Sequence, residues 1–278
     1  FGSRLKTFVH GSDPVILEVR FLFTSFNFSR TMSFEVGGDD AREIESFSTM
    51  VKDATVEVRK GFIRKVYSIL TVQLLLTVIV AAPLTSMVSQ SWLVANSWIM
   101  YLSLGMTMVT MCAMVCCQNL TRSFPTNYIL LFVFTAFEGV CVGFVSAQYT
   151  WQSVVLALGM TVLIFLCMTI FAWKSKTDFT GFGPYLFAAL MVLMVFGFVV
   201  SLLAMSGVQV YWAFMAYNLI GVIIFTFYIV YDTQLIIGEW GGHKHQFGID
   251  DYVFAALNLY LDIINLFLFL LRLFGNRR

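Results

Sequence analysis

Between Val66 and Ile237 the chain carries only six charged side chains: Arg122, Glu138, Lys174, Lys176, Asp178 and Asp232. A water-soluble domain is about a quarter charged, because its outer surface must be hydrated. No soluble fold can cover itself with six charges over so long a stretch. The remaining charge is concentrated upstream, where nine of the 16 acidic and 10 of the 17 basic residues precede Val66. The sequence therefore divides into a polar N-terminal region, residues 1–55, and a membrane domain, residues 56–278.

A helix needs about 20 mostly apolar residues to cross a bilayer. Seven stretches qualify: 66–88, 97–117, 127–147, 153–173, 184–205, 211–237 and 252–274. Lipid offers no partner to free backbone groups, so each must be helical. The predicted fold class is an all-α membrane protein with seven transmembrane helices. The connections are short, so sequential helices should run antiparallel. Pro125 and Pro184 stand at helix starts, where a missing N–H is harmless. Pro83, late in the first span, predicts a kink. Gly139-Val-Cys-Val-Gly143 is a GxxxG pattern and predicts close helix contact.

Residues 1–55 read as disordered. No cleavable signal peptide is evident, since Glu18 and Arg20 interrupt the apolar stretch 14–28. Residues 1–31 show neither period nor turn logic, and Met32 reads as the true start, with the residues before it a fragment or translation artefact. The net charge of +1 gives no electrostatic footprint for nucleic acid. The five cysteines (Cys112, Cys116, Cys117, Cys141, Cys167) all fall in apolar segments. They read as buried thiols acting as small apolar residues. Cys112 and Cys116 share a helix face, but two soft ligands do not make a zinc site.

Basic residues bias a loop toward the cytosol. Arg59, Lys60, Arg64 and Lys65 precede the first span, Arg122 marks the second connection, and Lys174 and Lys176 mark the fourth. The intervening connections near 89–96, 148–152 and 206–210 carry no charge. This alternation places the N-terminus and the loop 238–251, with Lys244, in the cytosol. The seventh segment breaks the rule, because a true span would leave Arg272, Arg277 and Arg278 on the far side. Either it is re-entrant, or something other than charge dictates its position.

A charge at mid-membrane costs about 2.5–3.5 kcal/mol on insertion scales. Glu138, Asp232 and Asp262 each carry that cost and need a reason. In the seventh segment Asn258, Asp262 and Asn265 fall at i, i+4 and i+7, one stripe of a helix whose other faces are apolar. A stripe of that kind turns toward protein, so the seventh helix should be enclosed by the others. The sixth segment carries a second stripe, Asn218, Gly221, Phe225, Tyr228 and Asp232. Asp232 lies about 8 Å from its helix end and Asp262 about 15 Å, a mismatch of about one and a half turns. If the two aspartates meet, they cannot both ionise cheaply. They should share a proton and titrate as a unit. Deprotonated, the pair can attract a cation, calcium being the hard cation that carboxylates usually bind, or pair with a basic group, for which Arg122 is the candidate. Glu138, Asn218, Asn258 and Asn265 read as secondary polar lining, or as hydrogen-bonding glue between helices. His243 and His245 read as parts of a solvated polar loop, with pH sensing as the alternative.

These residues also carry a family resemblance. The run from Val58 to Leu74, Arg122-Ser-Phe-Pro-Thr-Asn127, Tyr231-Asp-Thr-Gln-Leu-Ile236 and the run from Tyr252 to Phe267 resemble the lifeguard branch of the transmembrane Bax inhibitor motif family. The likeness covers about 56–275. Lifeguard proteins usually begin with a Pro- and Gly-rich region. Residues 1–55 depart from that and inherit nothing. The resemblance implies seven helices with the last at the centre of the other six. It implies a pH-sensitive calcium leak from internal stores, in the endoplasmic reticulum or Golgi, and protection against apoptosis. The family's paired aspartates match Asp232 and Asp262, and its arginine latch matches Arg122. No cofactor is implied. The expected partners are the bilayer, calcium as the permeant ion, and apoptosis-regulating membrane proteins.

Two other functions compete. A membrane interaction protein could restrain death signalling without conducting ions. An intramembrane aspartyl protease also places two aspartates on adjacent spans, and Tyr231-Asp232 fits its first motif. Its second motif is Gly-x-Gly-Asp, where Leu259-Tyr-Leu-Asp262 stands here, and no Pro-Ala-Leu follows. The chain is therefore read as a non-enzyme.

Overall fold

A computed structural model describes residues 56–116 and 123–278. The polar region 1–55, with Met32, and the latch candidate Arg122 lie outside the described residues. Among the described residues, eight α-helices follow in order: α1 (Val56–Ser86), α2 (Gln90–Ala95), α3 (Ser97–Cys116), α4 (Thr126–Ser146), α5 (Trp151–Lys174), α6 (Gly183–Met205), α7 (Tyr211–Ile237) and α8 (Tyr252–Phe274). All but α2 belong to the seven segments long and apolar enough to cross a membrane.

Two boundaries differ from the sequence reading. Helix α1 begins at Val56 rather than near Val66. Its inward face continues past the apolar stretch, with Arg59, Phe62, Val66 and Gln73 all buried at helical spacing. The connection 89–96 also folds into a short helix, α2, whose first turn is capped by the Ser89 hydroxyl accepting from the Trp92 N–H at 3.3 Å. Pro83 lies in the last turn of α1, which ends three residues later. Pro184 occupies the first turn of α6.

Helix α8 is the centre of the bundle. Its most apolar stretch is 89% buried, against 11% for that of α5. Its main neighbours are α1, α4, α5 and α7, while α3 extends the ring through α4 and α6 through α7. Phe269 of α8 stacks on Phe225 of α7 at 5.7 Å and meets Tyr217 at 5.5 Å. Gly221 lies directly against the Phe269 ring. The GxxxG face of α4 packs on α1 as its spacing predicts. A Cβ at Gly143 would stand 2.8 Å from the Leu84 side chain and 3.1 Å from the Ala81 backbone, and one at Gly139 would stand 3.0 Å from Val80. Gly143→Ala is expected to cost about 1 kcal/mol, because α1 cannot retreat without losing its contact with α8. Thermal unfolding in detergent would read this as a lowered midpoint.

The seventh segment is a true span. Asn127 at the start of α4 donates to the Tyr252 hydroxyl at the start of α8 at 3.0 Å, so these helices begin at one end of the bundle. At the other end the tail beyond α8 is strapped to the connection between α4 and α5. The Thr150 N–H donates to the Asn276 carbonyl at 2.9 Å, the Arg278 N–H to the Gln148 carbonyl at 2.9 Å, and the Asn276 N–H to Ser153 Oγ at 2.9 Å. The charge rule fails here for visible reasons. Arg272 is buried within the protein, and the Arg277 guanidinium lies 5.7 Å from the Tyr149 ring centroid.

Exposed aromatic residues collect at both ends. Trp173, Phe182, Tyr185 and Trp240 stand at the end where α1 begins, called here the basic end. Trp92, Trp98, Trp151, Tyr211 and Trp212 stand at the opposite end. Such belts mark the two membrane interfaces. The cysteines correct one expectation. Cys141 is buried, but Cys112, Cys116 and Cys167 are exposed on the outer face of their helices. In lipid an outward thiol still meets apolar surroundings, so burial in protein is not required.

Candidate functional site at the α7–α8 contact

Asp232 of α7 and Asp262 of α8 are both buried, at 5% and 3% exposure, and their carboxyl groups lie close enough to interact directly. The depth mismatch of about one and a half turns in the sequence reading is therefore closed. With Asp232 five residues before the end of α7 and Asp262 ten after the start of α8, α8 must begin further out than α7 ends, or cross it at an angle. Asp262 Oδ2 has no hydrogen-bond partner among the described residues. Tyr228, one turn deeper on α7, lies close enough to act electrostatically on both carboxyl groups.

A layer of polar side chains from α1 and α4 surrounds α8 near this depth. Thr77 Oγ1 is 2.8 Å from the Tyr260 hydroxyl, and Gln73 donates to Thr135 Oγ1 at 3.1 Å. Phe134 packs edge-on to Tyr260, with centroids 6.3 Å apart. Asn127 meets Tyr252 at an offset of 125 residues along two parallel helices, so Glu138, buried at 2%, stands near the depth of Ile263, next to Asp262. Asn265 is buried in the same region, whereas Asn258 is half-buried one turn nearer the basic end.

Asn218 does not join this group. It lies one turn beyond Gly221, which packs on Phe269, so it stands toward the opposite end. There its amide donates to the Phe214 carbonyl of its own helix at 2.7 Å. It shares a stripe with Asp232, but that stripe runs the length of α7 and the carboxylates occupy only one end of it.

Above the pair, toward the basic end, two loops are laced together. Asp178, between α5 and α6, accepts from the Thr180 hydroxyl at 2.6 Å, the Thr180 N–H at 3.0 Å and the Lys244 N–H at 3.1 Å. His243 is only 3% exposed, and its Nδ1 lies 3.6 Å from Asp178 Oδ1. His245 Nδ1 is 3.2 Å from the Thr180 hydroxyl. The reading of this loop as simply solvated is therefore corrected. Asp178 reaches across from another connection to form a pocket for His243, and no local signal in the loop announces it. Burial works against the Asp178 charge, but the Thr180 and Lys244 donors outweigh it and hold the carboxyl below its ordinary value. Burial pushes His243 below its ordinary value, and Asp178 offsets this only in part.

Sequence reasoning also missed Arg59, Gln73, Thr77, Gln234 and Tyr260. Each is a polar residue at a buried helical position, and heptad spacing from Val66 would have marked Arg59 and Gln73 on α1.

The Asp232–Asp262 pair can hold and release a proton, and can attract a cation. Among the described residues no three His, Cys, Asp or Glu side chains cluster to form a metal cage. Two carboxylates supply fewer oxygens than the six to eight of a calcium-storing site.

A family model described as "Inhibitor of apoptosis-promoting Bax1" matches residues 59–278. Protein lifeguard 3 of Homo sapiens is 40% identical over 222 residues, covering 80% of this chain and 70% of that protein. Protein lifeguard 3 of Mus musculus is 37% identical over 222 residues, covering 80% and 71%. Protein LIFEGUARD 2 of Arabidopsis thaliana is 37% identical over 224 residues, covering 78% and 88%.

Proposed function

Since this chain belongs to the Bax inhibitor family, in its lifeguard branch, we propose that it restrains apoptosis as a pH-sensitive calcium leak of an intracellular membrane. The endoplasmic reticulum or Golgi is the proposed location, with the basic end toward the cytosol. The observation that carries this reading is the pair of interacting carboxyl groups buried between α7 and α8. With one proton shared, the pair bonds the two helices together. Without it, two like charges face each other in a poorly solvated site, which favours separation of the helices or entry of a cation. The partnerless Asp262 Oδ2 is a contact for that cation. Arg122 is the proposed latch for the deprotonated pair.

Calcium flux into proteoliposomes is the test. Wild-type flux should change with pH over the range in which the shared proton is gained or lost. Asp262→Asn should flatten that profile. Identical profiles in the two proteins would sink the proposal.

The family description also favours a second reading, in which the chain binds an apoptosis-promoting membrane protein without conducting ions. Protection of cells by a variant with no measurable flux would select it. Proteolysis is disfavoured by Leu259-Tyr-Leu before Asp262. Cleavage of a model peptide that vanished in Asp232→Asn would restore it.

A further inference from the structure

The last turn of a helix leaves its carbonyls without intrahelical partners. In α7 that turn sits directly above Asp232, and a side chain from α1 fills the need. Arg59 is 2% exposed. Its Nε donates to the Ile237 carbonyl at 3.0 Å, its Nη2 to the Leu235 carbonyl at 2.8 Å and its Nη1 to the Phe247 carbonyl at 3.1 Å. One planar fork thus ties the start of α1 to the end of α7 and to the loop leading into α8. The positive charge also lies at the negative end of the α7 dipole.

The surroundings are shaped to this contact. The guanidinium carbon lies 4.8 Å from the Phe62 ring centroid. Gly238 ends α7 at φ +61°, and a Cβ there would run into Arg59 Nη2 and Gln246 Oε1. The Phe247 N–H donates to the Leu235 carbonyl at 3.2 Å, which draws the loop over the helix end. On the other side of α7, Gln234 accepts from the Phe179 N–H at 2.7 Å and donates to the Thr177 carbonyl at 3.0 Å. The end of α7 is therefore held from two sides. A lysine could not replace this arrangement, since it lacks the rigid fork of donors.

We propose that Arg59 is a positioning residue for the aspartate pair: it fixes the last turn of α7 so that Asp232 meets Asp262, and it closes the basic-end mouth above them. The importance of that mouth rests on the reading of the pair as the ion path. The closure itself can be measured without any ion.

Thr233, next to Asp232, is completely buried and four residues from the end of α7. In a protein with its native cysteines replaced, Thr233→Cys is probed with a charged, membrane-impermeant thiol reagent at neutral pH. The reagent should react slowly in the Arg59 background, at least tenfold faster with Arg59→Gln, and at an intermediate rate with Arg59→Lys. Lys60→Gln, which removes a neighbouring charge but no part of the fork, should leave the rate unchanged. Cys141, buried in α4 away from this end, serves as the control in protein that retains it. Faster labelling at position 233 with none at Cys141 supports the closure. Equal rates in Arg59 and Arg59→Gln proteins, or equal acceleration at both positions, would overturn it. If Arg59→Gln does not fold, the Arg59→Lys rate decides in the same way. Calcium flux in the same variants separates the two ideas. If Asp262→Asn leaves flux unchanged, the leak reading fails while the labelling result still stands or falls alone.

Discussion

Asp232→Asn and Asp262→Asn, combined in one protein, should impair pH-dependent calcium flux no more than either change alone. The reason is the contact between the two carboxyl groups. Residues that hold one proton between them form a single titrating unit, and removing either carboxylate destroys that unit. If the residues acted separately, the two losses would multiply. Pairs in direct contact show coupling of about 0.5–3 kcal/mol, a factor of roughly two to a hundred or more in the quantity measured, whereas distant pairs add within a few tenths. The four proteins of the cycle are compared in proteoliposomes at matched protein density, with flux recorded across pH. Coupling within a few tenths of a kcal/mol of zero would mean that the observed contact has no part in the response. Asn218→Ala, whose side chain bonds within its own helix toward the opposite end, should be additive with Asp262→Asn and calibrates the cycle.

How much of this site can be read from the sequence depends on the kind of constraint that fixed each residue. The stripe on α8 is legible because spacing along one helix is a local property, and a polar row among Leu, Ile and Phe has only one sensible direction to face. The same logic gives the identity of the pair but not its meeting. The relative depth of Asp232 and Asp262 depends on how two helices cross, which no spacing within either helix contains. Arg59 illustrates a different failure. It stands beside Lys60, Arg64 and Lys65 in a cluster that the positive-inside rule fully explains, so its charge attracts no second question. Its register with Phe62 and Val66 would have separated it from those neighbours, because only Arg59 shares their inward face. His243 was legible by neither route. Its burial is created by Asp178, which arrives from a connection 65 residues away in the chain. The seventh helix violates charge bias for a comparable reason. Arg272 is spent on the interior of the bundle, and the tail that carries Arg277 and Arg278 is strapped to the connection between α4 and α5 by backbone pairing.

Acidification below about pH 6.5 should loosen the cap over the aspartate pair through His243. In the closed cap His243 is buried, and burial lowers its affinity for a proton below the ordinary imidazole value of 6.5, with Asp178 only partly offsetting it. The facing charge comes from Asp178 between α5 and α6, while Lys244 and His245 flank His243 on its own loop. An opened cap returns the imidazole to water and to its ordinary value. Between the depressed value and 6.5 the open form therefore binds more protons than the closed one. The contribution of His243 to closure is complete above 6.5 and is lost as pH falls toward the depressed value, by no more than tenfold in the closed-to-open ratio per pH unit. Asp178 moves in another window. Its carboxyl is held below 3.8, so its contribution persists until the pH falls under that value. Of these two facing groups, the imidazole is thus the one that responds as pH falls below 6.5 while Asp178 keeps its charge. Hydrogen exchange of the amides from Leu235 to Phe247, corrected for intrinsic rates, would report the opening. Wild-type protection should fall from pH 7.5 to 5.5, and His243→Gln should remove most of that slope. A wild-type slope that survives His243→Gln would assign the response to another group, and the carboxyl pair beneath the cap would be the first to test.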